Sequence, residues 1–157
     1  MADIWVLPMV GDRKPFPFLN TTFDESMARF SPDARWVAYT SNESGQSEVY
    51  VRAFSLNAGG NAVELGGKYP ISNGLGSGPH WRADGRELYY RGRGGRLMTV
   101  AIATNPTFRA DTPQSIGLSV TPVWDSSADG KRFFGLASRN GPLLYTMIQN
   151  WQAGLKK

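Results

Sequence analysis

Apolar residues in this chain come in short runs rich in aromatic and β-branched types, each fenced by a turn-forming cluster. Residues 27–54 show the arrangement: MARFSPDARWVAYTSNESGQSEVYVRAF. The run at 35–40 follows Ser31-Pro32-Asp33, and the run at 48–54 follows Asn42-Glu43-Ser44-Gly45. Pro at the second turn position pre-sets φ, and Asp beside it bonds the backbone that follows. The pattern predicts strand, tight turn, strand, loop, strand, which is a three-stranded antiparallel meander.

The same layout recurs. His80-Trp81-Arg82-Ala83-Asp84-Gly85 and the apolar run after it lie over residues 29–39, with Asp84 on Asp33. A third copy begins at Val123-Trp124-Asp125 and places Asp129 at the same point, so the aspartates at 33, 84 and 129 stand 51 and 45 residues apart. A further run follows each pair, at 48–51, 96–100 and 143–147, and short fourth strands are expected at 68–72 and 114–116. A period near 45 with three or four strands per period points to β-propeller blades rather than to a sandwich.

The fold class expected is therefore all-β: one propeller-like domain over residues 1–157, of about three four-stranded antiparallel blades, a half or partial propeller. Residues 1–20 read as the last two strands of a blade, 27–72 and 79–117 as full blades, and 121–151 as a three-stranded one. Residues 14–18 form the outer strand of the first, where Pro15 and Pro17 suit an edge. Residues 55–66 read as a flexible connection. Gly85 and Gly130 follow the turn aspartates, whereas Ala34 stands at the matching position. A left-handed Ala34 is expected there, at a cost of about 1 kcal/mol.

Composition narrows the classes. Among 157 residues there are 18 Gly, 10 Pro and no Cys, which suits many turns and excludes disulfides and thiolate metal sites. The first twenty residues carry Asp3, Asp12 and several Pro and Gly, so neither a signal peptide nor a membrane span is expected, and the default location is cytoplasmic. Net charge is +4, and five arginines fall between Arg82 and Arg96. A solvent-facing strand surface accounts for them better than a nucleic-acid patch, since no aromatic-plus-Gly RNA-binding signature accompanies them.

Phe30-Ser31-Pro32-Asp33, Trp36-Val37-Ala38-Tyr39 and Asp3-Ile4-Trp5-Val6 resemble the repeats of TolB-like propellers. They are similar in particular to the propeller region that follows the kinase domain of some bacterial serine/threonine kinases. Leu144 and Asn150-Trp151 resemble the last strand of those regions. The resemblance implies WD40-like propeller architecture and a role in protein binding and scaffolding, not catalysis.

Candidate chemistry is sparse. His80 is the sole histidine, no Gly-x-Ser-x-Gly elbow is present, and no second titratable group pairs with His80 in the pattern. No catalytic residue, cofactor or metal ligand is assigned. The recurring aspartates read as turn formers. Gly92, Gly94 and Gly95 lead into no helix, so they read as a hairpin loop and not as a phosphate cradle. The recurrent aromatics, Trp36, Tyr39, Trp81, Tyr89, Tyr90, Trp124, Phe133 and Phe134, read as packing between blades.

The reading is a non-enzymatic binding module. The alternatives are a hydrolase with a channel-face site and a weakly basic nucleic-acid binder. Loops 24–26, 42–46, 73–78 and 91–95 should meet on one face, opposite the aspartate turns, and offer Asp24, Glu25, Asn42, Glu43, His80, Arg91 and Arg93 to a ligand or a peptide. Counting two, four, four and three strands leaves an unfinished ring, so a homodimer is expected in which each N-terminal segment completes the other chain's last blade.

Overall fold

In the computed structural model, residues 1–135 are described, and they form thirteen strands and one short 3-10 turn. The strands are β1 (Ile4–Val6), β2 (Phe16–Leu19), β3 (Glu25–Phe30), β4 (Trp36–Ser41), β5 (Glu48–Leu56), β6 (Val63–Pro70) and β7 (Gly76–Trp81). After these come β8 (Glu87–Gly92), β9 (Arg96–Ala103), β10 (Arg109–Ala110), β11 (Gln114–Ser119), β12 (Trp124–Ser126) and β13 (Phe133–Gly135). All strand pairings among the described residues are antiparallel, and no sheet is closed.

Four sheets follow one another along the chain. β1 pairs with β2; β3-β4-β5-β6 form a meander; β7-β8-β9 form another; β12 pairs with β13. On the free side of β9, β11 lies along Arg96–Thr99 and β10 along Ile102 and Ala103, so one outer strand is split in two. Pro113 stands in the gap, where a residue without an N–H interrupts a ladder. The run at 143–147 falls outside the described residues.

The inner strands of the middle sheets are buried on both faces, which explains why β4, the first half of β5 and β8 read as continuous apolar runs rather than alternating ones, whereas the outer strand β6 is largely exposed. In β4, Val37 and Tyr39 face β1 and β2, joining Phe18, Leu19 and Tyr50 in one core. Ala38 faces the other way, into a second core with Val49, Val51, Leu88, Tyr90, Val100, Ile102 and Phe108. Tyr89 and Leu97 turn from that core into a third, with Ile116, Val120 and Trp124. The period-two side-chain alternation thus assigns neighbouring residues to different cores. The sheets stack face to face in chain order with an apolar layer between each pair.

The turn built on Ser31-Pro32-Asp33 repeats with little change. Ser31 Oγ donates to Asp33 Oδ1 at 2.6 Å and accepts the Trp36 amide at 3.0 Å. Ser127 Oγ does the same with Asp129 at 2.5 Å and the Arg132 amide at 3.0 Å. In the second copy Arg82 replaces the serine and grips Asp84 through Nε and Nη2, at 2.8 and 2.6 Å. Ala34, Gly85 and Gly130 all have positive φ, at 56°, 71° and 67°. Ala34 is left-handed, as the repeat requires.

Several expectations change. Residues 55–66 are not a loose connection: β5 continues to Leu56, β6 begins at Val63, and Leu56 pairs with Val63 across the hairpin. The Asn57 side chain closes that hairpin, its Oδ1 accepting the Asn61 amide at 3.1 Å. The sheet is longer because β5 and β6 pair on both sides of a bulge, Val63 to Leu65 with Leu56 to Phe54 and Lys68 to Pro70 with Arg52 to Tyr50, and the glycines at 66 and 67 stand in that bulge. Glu25 belongs to strand β3 and is buried, not on the loop before it. The segment after β8 is a 3-10 turn, Arg93–Gly95, with Gly94 at φ 67°. Of the aromatics expected to pack between sheets, Phe134 is instead 74% exposed.

Candidate functional site

The expected loop residues divide into separate local networks. Asp24 and Asn42 bind each other across the β3–β4 ends: the Asp24 amide donates to Asn42 Oδ1 at 2.9 Å, and Asn42 Nδ2 donates to Asp24 Oδ2 at 3.2 Å. Glu43 pairs with Lys68 at 2.6 Å. Glu25 accepts the Thr21 hydroxyl at 2.5 Å through Oε1, while its Oε2 is buried with no partner among the described residues. Arg91 donates from Nε to the Val120 carbonyl at 3.1 Å, and Arg93 is exposed.

Glu48 ties the 42–46 and 73–78 loops together, and sequence reading did not single it out. Its carboxylate accepts the Gln46 side chain at 2.9 Å, the Gly74 and Leu75 amides at 2.8 and 3.1 Å, and the Ser72 hydroxyl. Burial works to raise its pKa, but the bonds from Ser72, Leu75 and Gly74 outweigh this and hold it below the usual carboxylate value. A charged residue opening the apolar run Glu48-Val49-Tyr50-Val51 was the available signal. A buried carboxylate needs such a full set of donors.

His80 sits on β7, in contact with β12. Its Nδ1 lies 3.3 Å from Asp125 Oδ1, and its ring packs on Trp124 with centroids 4.3 Å apart. Burial lowers its pKa; Asp125 opposes this and the Arg29 charge adds to it. Asp125 is thus the titratable partner that the sequence pattern did not reveal. The signal was present: the offset that lays Asp129 on Asp84 also lays Asp125 on His80 and, one repeat earlier, Arg29 on His80.

The described clefts lie elsewhere. One of about 610 Å³ borders the aspartate turns, lined by Pro32, Trp81, Arg82, Arg86 and Asn105. Another of about 790 Å³ runs between Val6, Pro8, Lys14 and Phe16 on one side and Leu56 and Asn61 on the other. Of the arginines in 82–96, Arg82 is consumed by ion pairs to Asp84 and Glu87, at 2.6 and 2.8 Å. Among the described residues, no group of three or more His, Cys, Asp or Glu side chains could hold a metal ion, and no helix is long and apolar enough to cross a membrane.

No family model and no curated protein matches this chain. The functional reading therefore rests on the sheets, the repeated turn and the side chains just described.

Proposed function

We propose that this chain is a non-enzymatic binding module, built from TolB-like β-propeller repeats, whose ring is completed by a second copy. The observation that carries the reading is the stack itself. Four antiparallel sheets follow in chain order, three apolar cores lie between them, and the same turn recurs at 31–36, 82–87 and 127–132. Face-to-face succession of small antiparallel sheets with a fixed period is how propellers are assembled.

Self-association is supported by what the first sheet leaves open. Ile4 and Val6 turn inward to the first core, while Trp5 between them is 53% exposed on the other face. A tryptophan on an open sheet face favours burial against a partner. A second copy offers a closed, two-fold arrangement, a six-bladed ring in which each N-terminal segment adjoins the other chain's last sheet. The loop face around Asp24, Asn42, Glu43, Arg91 and Arg93 then serves a protein or peptide partner.

Light scattering on the intact chain tests this. The expected mass is twice the 17.3 kDa of one chain, falling to the single-chain value in Trp5→Glu. A stable monomer for the intact protein overturns self-association.

A further inference from the structure

Arg29, His80 and Asp125 each stand four residues before a turn aspartate, on the first strands β3, β7 and β12. β3 runs beside β7, and the Trp81 indole donates to the Arg29 carbonyl at 3.2 Å. The three side chains therefore form one row over neighbouring strands, graded from cation through imidazole to carboxylate. The Arg29 charge acts on His80 from β3, and Asp125 Oδ1 on β12 lies 3.3 Å from His80 Nδ1; these are the charged groups that act on it among the described residues.

The row has an open end. Asp125 engages Nδ1 and Trp124 covers the ring, which leaves Nε2 with no hydrogen-bond partner among the described residues. Arg29 is exposed, and among the described residues its guanidinium bonds only the neighbouring Ala28 carbonyl, at 3.3 Å. Two residues before it, Met27 is half exposed and held at φ 55°, a left-handed conformation that a non-Gly residue adopts at a cost. The spot where Gly78 lacks a Cβ lies 3.7 Å from Met27 Sδ and 3.6 Å from Trp124 Nε1. The Met27 thioether thus lies near the Trp124 ring that packs on His80.

We propose that Arg29, His80 and Met27 form a binding site for a carboxylate that carries an apolar group, as at the carboxyl terminus of a peptide. The carboxylate lies between the Arg29 guanidinium and His80 Nε2, and the apolar group lies on Met27. An anion at that point favours the imidazolium, so His80 takes a proton from solvent as the ligand binds, with Asp125 keeping the ring oriented from its other nitrogen. The inference rests on the row of first strands and not on ring closure; a monomeric chain would still show it.

His80 is the only histidine in the chain, so a single set of imidazole NMR signals reports on it. The intact chain is titrated over pH alone, with N-acetyl-leucine, and with the neutral N-acetyl-leucinamide. The expected result is a His80 midpoint raised by about one unit by the carboxylate and unmoved by the amide. Arg29→Gln, an exposed substitution, should abolish the shift, and Met27→Ala should raise the N-acetyl-leucine concentration needed to produce it. Acetyl-Ala-Ala-Leu with a free carboxyl separates a peptide terminus from a small acid: it should act at a lower concentration than N-acetyl-leucine. An unmoved midpoint with the carboxylates, an equal shift with the amide, or a shift retained in Arg29→Gln overturns the site.

Discussion

Ser31 and Asp33 hold each other across the turn: the hydroxyl donates to the carboxylate at 2.6 Å and in return receives the Trp36 amide. The same oxygen therefore orients the carboxylate and closes the hairpin. Ser31→Ala removes both bonds and leaves the half-buried Trp36 amide without its acceptor. A loss of about 1–2 kcal/mol is expected, read as a lower urea midpoint at unchanged slope. A midpoint equal to wild type would show that the hydroxyl is replaceable by water.

Ala34 and Gly130 occupy the same left-handed turn position and should respond in opposite directions. Ala34→Gly relieves the Cβ strain and should stabilise by up to about 1 kcal/mol. Gly130→Ala introduces that strain and drives a Cβ into the Tyr89 hydroxyl, so it should destabilise clearly. Thermal melts of the two variants check the pair; a lower Tm for Ala34→Gly would contradict the turn geometry.

Arg82 answers to two carboxylates, Asp84 and the nearly buried Glu87. Arg82→Met removes both ion pairs while Glu87 keeps the Tyr89 hydroxyl at 2.6 Å, and it should destabilise the fold. Adding Glu87→Gln removes one of the two charges that Arg82 balances and should recover part of the loss. Chemical denaturation of the single and double variants measures this coupling; strict additivity would argue against it.

Acid should unfold the protein in two stages. His80 binds a proton less readily in the folded state, chiefly through burial, so the unfolded chain takes up more protons and stability falls as pH drops below about 6.5. The turn carboxylates act lower. Asp33 is held down by Ser31, Asp129 by Ser127, and Asp84 by Arg82 to about 2. Their contribution is complete above the ordinary aspartate pKa and disappears as pH falls through the depressed values. Urea midpoints between pH 8 and 2 should show both declines, and His80→Gln should remove only the first.

How far the sequence could be read depended on how local each cause was. The turns were legible because Ser31, Asp33 and Ala34 interact within six consecutive residues. The extension of β5 and β6 was not, because Ser55 is a poor strand former that takes strand geometry from its pairing with Glu64, and Gly66 and Gly67 mark a bulge whose flanking pairs come from the partner strand. Glu25 was misplaced onto a loop for a similar reason: its burial comes from the packed sheets, not from its neighbours. The His80–Asp125 pair joins residues from two repeats, so it could be seen only by laying the copies over each other.

The sorting of neighbouring residues into separate cores changes what guards strand register. In a sheet wetted on one face, a slip of one residue sends apolar groups into water, and polarity alone forbids it. In β4 the same slip would send Tyr39 to where Ala38 sits and Ala38 to where Val37 sits, with both still dry. Solvent does not penalise that shift; volume does. Alignment of the middle sheets is therefore enforced by the size difference between adjacent side chains, and leucine-for-leucine uniformity along such a strand would erase the only mark that tells one face from the other.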